Sequence, residues 1–221
     1  MKVLAVAWDI DGTLIDSEPL HHTAMLAASQ QWGTDLSDIS VQTLRGVHMH
    51  EVWDLMRRRL PETLTKEVWL SAIEDQYLRR CSCLLALPGV AAVVEAIAAL
   101  NIAQICVSNS SRRIVDANLD MLGLSTHIAF SISLNDVDRG KPDPQPYQLA
   151  AAKLAIDPRA MLAIEDSDAG ARSARAAGMF VVGHTPAGGH LAAAHLCVAN
   201  ISSVIGLLGR CSEDTIVECC S

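Results

Sequence analysis

The sequence Lys2-Val-Leu-Ala-Val-Ala-Trp8 is a short apolar run, and Asp9-Ile-Asp11-Gly-Thr13 follows it directly. Such a run, ended by a polar turn, is typical of a strand that is buried on both faces of a parallel sheet. Four comparable runs follow, at residues 102–107, 129–133, 161–164 and 179–182. Helical patterns lie between them, at residues 90–100, 112–122, 146–154 and 169–177. This alternation predicts an α/β fold, a doubly wound Rossmann-like parallel sheet, which residues 197–199 and 204–208 extend by one strand and one helix.

Residues 16–87 have a different pattern, because they contain no buried-strand run and their apolar residues recur at helical spacing. We predict a helical insertion of three helices here. Their apolar positions are Leu20, Met25 and Leu26 in the first, Val52, Trp53, Leu55 and Met56 in the second, and Val68, Leu70, Ile73, Tyr77 and Leu78 in the third. The predicted core therefore consists of residues 1–15 and 88–221, of which residues 209–221 are expected to form a weakly ordered tail.

Composition excludes several classes of protein. Half of the 221 residues are apolar and 19% are charged, which excludes a disordered or collagen-like chain. The formal net charge of −8 repels nucleic acid and anionic membranes, so we expect neither as a partner. The apolar run at residues 3–8 is too short for a secretory signal, and no stretch reaches about 18 uncharged apolar residues. We therefore expect a cytoplasmic protein whose seven cysteines are reduced thiols.

The first polar strand end carries two carboxylates, Asp9 and Asp11, which project from the same side of an extended chain. Ligands of open α/β sheets bind at the carboxyl ends of the strands, so this position is a candidate site. Mutual repulsion would raise one pKa unless a cation lies between them, and Mg²⁺ prefers such oxygen ligands. An EF-hand calcium loop is excluded, because Leu14 and Leu20 occupy the positions that need Gly and Glu. A helix N-cap with a turn glycine remains the structural alternative.

Polar or charged side chains that could take part in a reaction also follow three further strands. Ser108 and Asn109 lie between a strand and a helix N-terminus, where backbone N–H groups suit a phosphate, although both residue types are also ordinary caps. Lys141 lies in a loop with two prolines and could neutralise phosphate oxygens, or could simply be a solvated lysine. Glu165 and Asp166 end another strand, either as helix caps or as further ligands for the cation.

Taken together, these segments resemble the four motifs of the haloacid dehalogenase-like hydrolase superfamily. The resemblance covers about the whole chain. The matching segments are Asp9-Ile-Asp11-Gly-Thr-Leu-Ile-Asp16-Ser-Glu18, Val107-Ser-Asn109, Gly140-Lys141-Pro-Asp-Pro144, and Ile164-Glu165-Asp166-Ser-Asp-Ala-Gly170 with Ala177-Gly-Met179. The helical insertion is similar to the C1 cap of the branch that contains β-phosphoglucomutase, phosphoglycolate phosphatase and the small sugar-phosphate phosphatases.

The resemblance implies a role for each motif residue. Asp9 would be the nucleophile that forms an aspartyl-phosphate, and Asp11 would be the acid/base. Ser108 and the N–H of Asn109 would hold the transferring phosphoryl group, while Lys141 would neutralise its charge and orient the nucleophile. These roles imply a phosphoric monoester hydrolase that acts on a small phosphorylated metabolite.

The same resemblance implies Mg²⁺ as cofactor. Its ligands would be Asp9, the backbone carbonyl of Asp11, Glu165 and Asp166. We expect a monomer.

The insertion carries the candidate specificity residues. Arg45 and Gly46 lie in a loop that resembles the substrate-specificity loop of the cap. His21 lies where β-phosphoglucomutases also carry a histidine, although a solvent-facing histidine is the alternative interpretation. Mutases keep a second basic residue in that loop to bind the other phosphate of the substrate, and this chain has Met49 there. The sequence therefore favours hydrolysis over a phosphosugar mutase reaction.

Three other activities fit the residues less well. A haloacid dehalogenase would not need Asp11 or the acidic pair at 165 and 166. A phosphonatase would need a lysine near the specificity loop, and Lys66 is distant from it in sequence. A catalytically inactive binding protein is expected to have lost a motif, and all four motifs are present.

Overall fold

The computed structural model describes residues 2–44 and 49–210, without the side chains of residues 209 and 210. Its six strands form one parallel sheet in the order β3-β2-β1-β4-β5-β6. They are β1 (Ala5–Trp8), β2 (Ala103–Val107), β3 (Ser131–Ile132), β4 (Met161–Glu165), β5 (Phe180–His184) and β6 (Leu196–Val198). This strand order is that of a doubly wound Rossmann-like sheet and confirms the predicted fold class.

The described helices lie on both sides of the sheet and in the insertion. The insertion contains α1 (Glu18–Gln30), α2 (Val41–Leu44), α3 (Met49–Met56) and α4 (Lys66–Leu78). The sheet is covered by α5 (Val90–Ala99), α6 (Arg112–Leu122), α7 (Gln145–Leu154), α8 (Asp168–Ala176) and α9 (Ser203–Arg210). None of the helices in the described part of the chain is long and apolar enough to cross a membrane.

The central strand β1 is apolar on both faces, as the opening run predicts. Val6 and Trp8 face one buried cluster, and Ala5 and Ala7 face the other. All four side chains are buried without measurable exposure. Because alternate side chains of a strand project to opposite faces, a sheet covered on both sides needs a continuously apolar strand.

The register of β1 with its two neighbours places the polar strand ends together at the carboxyl end of the sheet. Trp8 pairs with Cys106 of β2 and with Ile164 of β4. The residues that follow β1 and β2, and the last residue of β4, therefore lie side by side. The carboxyl ends of the strands are where ligands bind in open α/β sheets.

Two of the predicted strands are much longer than the observed ones. The run at 129–133 contributes only Ser131–Ile132 to the sheet, because β3 is an edge strand that pairs with two residues of β2. The opening run becomes a strand only from Ala5, and Leu4 is 43% exposed. An apolar run predicts burial, whereas strand length depends on the neighbouring strand.

The insertion leaves and rejoins the sheet through two adjacent segments. Ile15 pairs with Asp11 and with Ala86, and the N–H of Leu87 donates to the carbonyl of Leu14 at 2.9 Å. The proposed domain limits, 1–15 and 88–221 against 16–87, remain predictions.

Within the insertion, α1 packs against α4. The indole N–H of Trp69 donates to the hydroxyl of Ser29 at 3.0 Å, and the rings of Trp53 and Trp69 lie 5.6 Å apart. Leu55 and Val68, which we expected on the apolar faces, are 60% and 51% exposed. Helical spacing alone does not show how wide the buried stripe of a helix is.

Candidate active site

The side chain of Asp9 follows β1 and is held at one oxygen only. Its Oδ1 accepts a hydrogen bond from Nζ of Lys141 at 2.6 Å. Its Oδ2 is buried and has no hydrogen-bond partner among the described residues. A buried carboxylate oxygen without a donor is rare and indicates a missing ligand or a reactive atom. One oxygen of Asp9 is thus fixed and the other is available.

Lys141 lies between two carboxylates. Its Nζ is 2.6 Å from Oε1 of Glu165 as well as from Asp9, and it donates to the carbonyl of Val107 at 2.8 Å. The residue is only 9% exposed, so the solvated-lysine alternative is wrong. Burial lowers the pKa of Lys141, but the charges of Asp9 and Glu165 raise it more, and its pKa lies above the ordinary value. Lys141 is therefore a permanent cation at this site.

Three carboxylates converge beside this one ammonium group. Ligand oxygens of Asp9, Glu165 and Asp166 lie within 4.8 Å of one another. Burial raises the pKa of Asp9, as do the charges of Glu165 and Asp166, against the opposing effect of Lys141. Burial and the charge of Glu165 raise the pKa of Asp166 to about 7. Three carboxylate oxygens gathered in a buried space beside a single ammonium group fit a hard divalent cation such as Mg²⁺.

Two glycines permit this close approach of acidic side chains. A Cβ on Gly12, whose φ is +86°, would lie 2.0 Å from Oδ2 of Asp166. A Cβ on Gly170 would lie 1.9 Å from Oε2 of Glu165. Any larger residue at either position would displace a carboxylate of the cluster.

Glu165 is also held by a tyrosine from α7. The hydroxyl of Tyr147 donates to Oε1 of Glu165, and its ring lies 5.3 Å from Nζ of Lys141. Tyr147 and Glu165 are both fully buried. Tyr147 thus fixes the carboxylate and covers the lysine at the same time.

Asp11 accepts hydrogen bonds at both carboxylate oxygens. Its Oδ1 accepts from Ser17 at 2.6 Å, and its Oδ2 accepts from Ser110 at 2.9 Å and from Ser108 at 3.1 Å. Nε2 of His21 lies 3.7 Å from Oδ1. Burial raises the pKa of Asp11, but the hydrogen bonds and the charge of His21 lower it more, to well below its ordinary value.

Of the serines that follow β2 and could cap α6, one caps the helix and another contacts the candidate site. Ser111 is the cap of α6 and accepts from the N–H of Ile114 at 3.4 Å. Ser108 does not cap the helix, since its hydroxyl donates to Asp11 and accepts from the N–H of Ser110 at 2.9 Å. The capping alternative for this segment therefore applies to Ser111 and leaves Ser108 for the site.

The acidic segment after β4 shows the same division. Ser167 caps α8 by accepting from the N–H of Gly170 at 3.1 Å. Glu165 instead forms an ion pair with Lys141 and accepts a hydrogen bond from Tyr147.

Asn109 locks the lysine loop onto the end of β2. Its Nδ2 donates to the carbonyl of Lys141 at 2.9 Å, and its Oδ1 accepts from the N–H of Lys141 at 2.8 Å. A Cβ on Gly140 would lie 2.6 Å from that Oδ1, so this approach requires glycine. The resemblance implies a role only for the backbone N–H of Asn109, whereas in the structure its side chain also positions the Lys141 loop.

The insertion brings two aromatic side chains to Asp11. The rings of His21 and Tyr77 lie 4.4 Å apart, and His21 is partly buried against Asp11. Tyr77 donates to Oδ1 of Asn118 at 2.7 Å, and Nδ2 of Asn118 donates to Oδ1 of Asp11 at 3.2 Å.

The two loop residues predicted to contact substrate, Arg45 and Gly46, lie outside the described residues. Met49, at the start of α3, is partly buried against the main apolar cluster. Its side chain therefore serves packing.

Among the described residues, several that the sequence did not single out support the site. Ser17, Ser110 and Asn118 contact Asp11, Tyr147 contacts Glu165, and Tyr77 contacts Asn118. Ser17 and Ser110 lie inside or next to the quoted motifs, and their hydroxyls were a signal. The other three lie on helices, where the pattern predicts only burial.

Comparison with known proteins gives a consistent result. The family profile described as haloacid dehalogenase-like hydrolase matches residues 3–178. Hexitol phosphatase B of Escherichia coli (strain K12) is 30% identical over 184 residues, which cover 80% of this chain and 82% of that protein. The 6-phosphogluconate phosphatase of the same strain is 30% identical over 190 residues, which cover 81% of each chain.

A solved structure shows the same fold. The crystal structure of CbbY from Rhodobacter sphaeroides in complex with phosphate matches with a TM-score of 0.82 at 21% sequence identity. The match covers 91% of this chain and 96% of that chain.

Proposed function

The chain belongs to the haloacid dehalogenase-like hydrolases and is a phosphoric monoester hydrolase, and we propose that it releases phosphate from a small phosphorylated sugar or related metabolite through an aspartyl-phosphate on Asp9. The observation that carries this proposal is the state of Asp9. Lys141 holds one carboxylate oxygen, while the other is buried and has no partner in the described part of the chain. A nucleophile needs such a free oxygen in a fixed direction.

In the first step Oδ2 of Asp9 attacks phosphorus, and the bond from phosphorus to the leaving oxygen breaks. Lys141 and the Ser108 hydroxyl neutralise or bind the phosphoryl oxygens. Asp11 gives a proton to the leaving oxygen, so the first product is a neutral alcohol. The phosphoryl group takes the Ser108 hydroxyl that Asp11 holds in the free enzyme, and its negative charge raises the pKa of Asp11, so Asp11 takes up that proton from solvent as the substrate binds.

In the second step a water oxygen attacks phosphorus, and the bond from phosphorus to Asp9 breaks. Asp11 accepts the proton of the attacking water and releases it to solvent when phosphate leaves, which returns both carboxylates to their ionised starting state. The net reaction consumes one water and gives one alcohol and one inorganic phosphate. The low pKa of Asp11 in the free enzyme makes it a carboxylate that can accept this proton.

Asp9, Glu165 and Asp166, with the backbone carbonyl of Asp11, would hold Mg²⁺. The bound ion would supply positive charge for the phosphoryl oxygens and for the carboxylates.

The relatives support a phosphorylated sugar or sugar alcohol as substrate, because hexitol phosphatase B and 6-phosphogluconate phosphatase carry such names. A panel of sugar, sugar-alcohol, nucleotide and glycolate phosphates tests this directly, with released phosphate as the readout. The panel is run with Mg²⁺ and with excess chelator, and Asp9→Asn is the control for contaminating phosphatases. Release from sugar or sugar-alcohol phosphates only with Mg²⁺ is the expected result, and full release with chelator contradicts it.

A mutase reaction is the second outcome that the assay must separate. A mutase must bind a second phosphate, and Met49 occupies the position where the specificity loop would need a second cation. The protein is incubated with β-glucose 1-phosphate and a bisphosphate primer. We expect free phosphate, and efficient formation of glucose 6-phosphate with little phosphate release would contradict hydrolysis.

A further inference from the structure

A chain of buried hydrogen bonds runs from the helical insertion to Asp11. The hydroxyl of Tyr77 on α4 donates to Oδ1 of Asn118 on α6 at 2.7 Å. Nδ2 of Asn118 donates to Oδ1 of Asp11 at 3.2 Å. Tyr77 and Asn118 are fully buried. Two different parts of the chain therefore meet at the carboxylate through two polar side chains that water does not reach.

The orientation of the Asn118 amide is determined at both of its ends. Asp11 can only accept hydrogen bonds when ionised, so the NH₂ group of Asn118 must face it. The amide oxygen is then left facing Tyr77, whose hydroxyl supplies the donor that this oxygen needs. Without the tyrosine hydroxyl, a buried acceptor is left unsatisfied and the amide is free to turn.

The seam between α4 and α6 also contains ion pairs at the protein surface. Arg113 on α6 already forms ion pairs with Glu74 at 2.9 Å and with Asp75 at 3.2 Å, both on α4. Two apolar side chains would fill the same volume without the cost of burying polar groups. What the pair of Tyr77 and Asn118 adds is a donor aimed at Asp11.

With this donor, each oxygen of the Asp11 carboxylate accepts hydrogen bonds from two side chains. Ser108 and Ser110 donate to Oδ2, while Ser17 and Asn118 donate to Oδ1. Ser108 is also a predicted phosphoryl ligand, so a substrate competes with Asp11 for its hydroxyl. When that competition occurs, Asp11 keeps Ser110 on Oδ2 and the two donors on Oδ1, of which Asn118 is the one that is held from the insertion.

We propose that Asn118 and Tyr77 are positioning residues for Asp11, and that they link the placement of α4 to proton transfer at the leaving group. This inference rests on the proposed function, in which Asp11 protonates the leaving oxygen.

The test compares two aryl phosphates of nearly the same shape. Phenyl phosphate has a leaving group of pKa about 10, like a tyrosine side chain, and depends on an acid. 4-Nitrophenyl phosphate has a much less basic leaving group that departs without a proton. The value of kcat/KM reports phosphoryl transfer up to loss of the leaving group, so it isolates the step in which Asp11 is the acid. The pair of substrates does not require that the natural one be known.

The variants are Tyr77→Phe and Asn118→Ala, with Arg113→Met as the matched control on the same seam. Tyr77→Phe keeps the ring against His21 and removes only the hydroxyl. We expect kcat/KM on phenyl phosphate to fall about tenfold, part of the 10²- to 10⁴-fold that a general acid supplies. The fall on 4-nitrophenyl phosphate should be less than about twofold, and Arg113→Met should leave the ratio of the two substrates unchanged. Thermal denaturation checks that each variant is folded.

The outcomes separate the inference from the proposed function. Equal losses on both substrates, or no loss in folded Tyr77→Phe, overturn the positioning role while wild-type turnover upholds the phosphatase. A change of the substrate ratio in Arg113→Met also overturns it, because any loosening of the seam would then suffice. If wild-type protein releases phosphate from neither substrate, the proposed function fails and the inference fails with it.

Discussion

Replacing Lys141 by methionine tests whether the lysine charge balances the carboxylates of the site. The variant keeps most of the side-chain volume and removes the only ammonium group between Asp9 and Glu165. Each pair at 2.6 Å corresponds to about 6 kcal/mol at an effective dielectric constant of about 20, and the cost of dehydrating the lysine offsets a large part. Breaking a buried pair by removing one partner costs about 3–5 kcal/mol, and we expect a loss of that size in the free energy of unfolding.

The loss should depend on pH with a defined sign. Lys141 lowers the pKa of Asp9, so its removal raises that pKa further above the unfolded value. The folded state then holds a proton that the unfolded state releases, and stability falls as pH rises towards the folded pKa. Lys141→Met should therefore lose more stability at about pH 8 than at about pH 5.5, where protonation replaces part of the missing charge.

Urea denaturation in excess chelator, followed by circular dichroism, measures both quantities. Lys2→Met is the matched control, because Lys2 is exposed. It should change the free energy of unfolding by no more than about 0.5 kcal/mol at either pH. A variant at Lys141 that unfolds like wild type at about pH 8, or one that loses the same amount at both pH values, refutes this account of the charge balance.

Three further predictions concern the acidic residues. Asp9→Asn should lower kcat by several orders of magnitude, because an amide is a poor nucleophile; phosphate release measures it, and more than about 1% residual turnover would exclude Asp9 as nucleophile. Asp11→Asn should lower kcat about 10²- to 10⁴-fold and still bind Mg²⁺ in calorimetry, and wild-type turnover would remove Asp11 from proton transfer. Since the pKa of Asp166 is raised to about 7, protons compete with Mg²⁺ below that pH, so the Mg²⁺-induced rise in Tm should be larger at about pH 8 than at about pH 5.5. Equal rises in thermal denaturation would contradict the metal assignment to Asp166.

The strand ends could be located from sequence because the information is local. An apolar run that stops at a carboxylate or a serine predicts both a buried strand and the residue at its carboxyl end. Parallel register then brings Asp9, Ser108 and Glu165 together without further knowledge of packing. Lys141 does not follow from this local pattern: the sequence left a solvated lysine open, and it is the Asn109 side chain that ties the lysine loop to the end of β2.

The support around Asp11 could not be located in this way. Asn118 lies 107 positions from Asp11 and 41 from Tyr77, and its place on a helix predicts only that it faces inwards. Which polar groups meet inside the protein depends on how α4 and α6 pack, and a pattern of apolar residues carries no information on that pairing. Leu55 shows the same limit for apolar residues. Its helical spacing predicts a buried position, but the side chain is exposed in the packed helix.

Trapping the phosphoenzyme tests the central claim most directly. The protein is mixed with Mg²⁺ and its best substrate from the panel, then quenched with borohydride, which reduces an acyl phosphate to an alcohol. Peptide mass spectrometry should find Asp9 converted to homoserine, only when substrate is present and not in Asp9→Asn. Reduction at another carboxylate, or turnover without any reducible intermediate, would contradict an aspartyl-phosphate on Asp9.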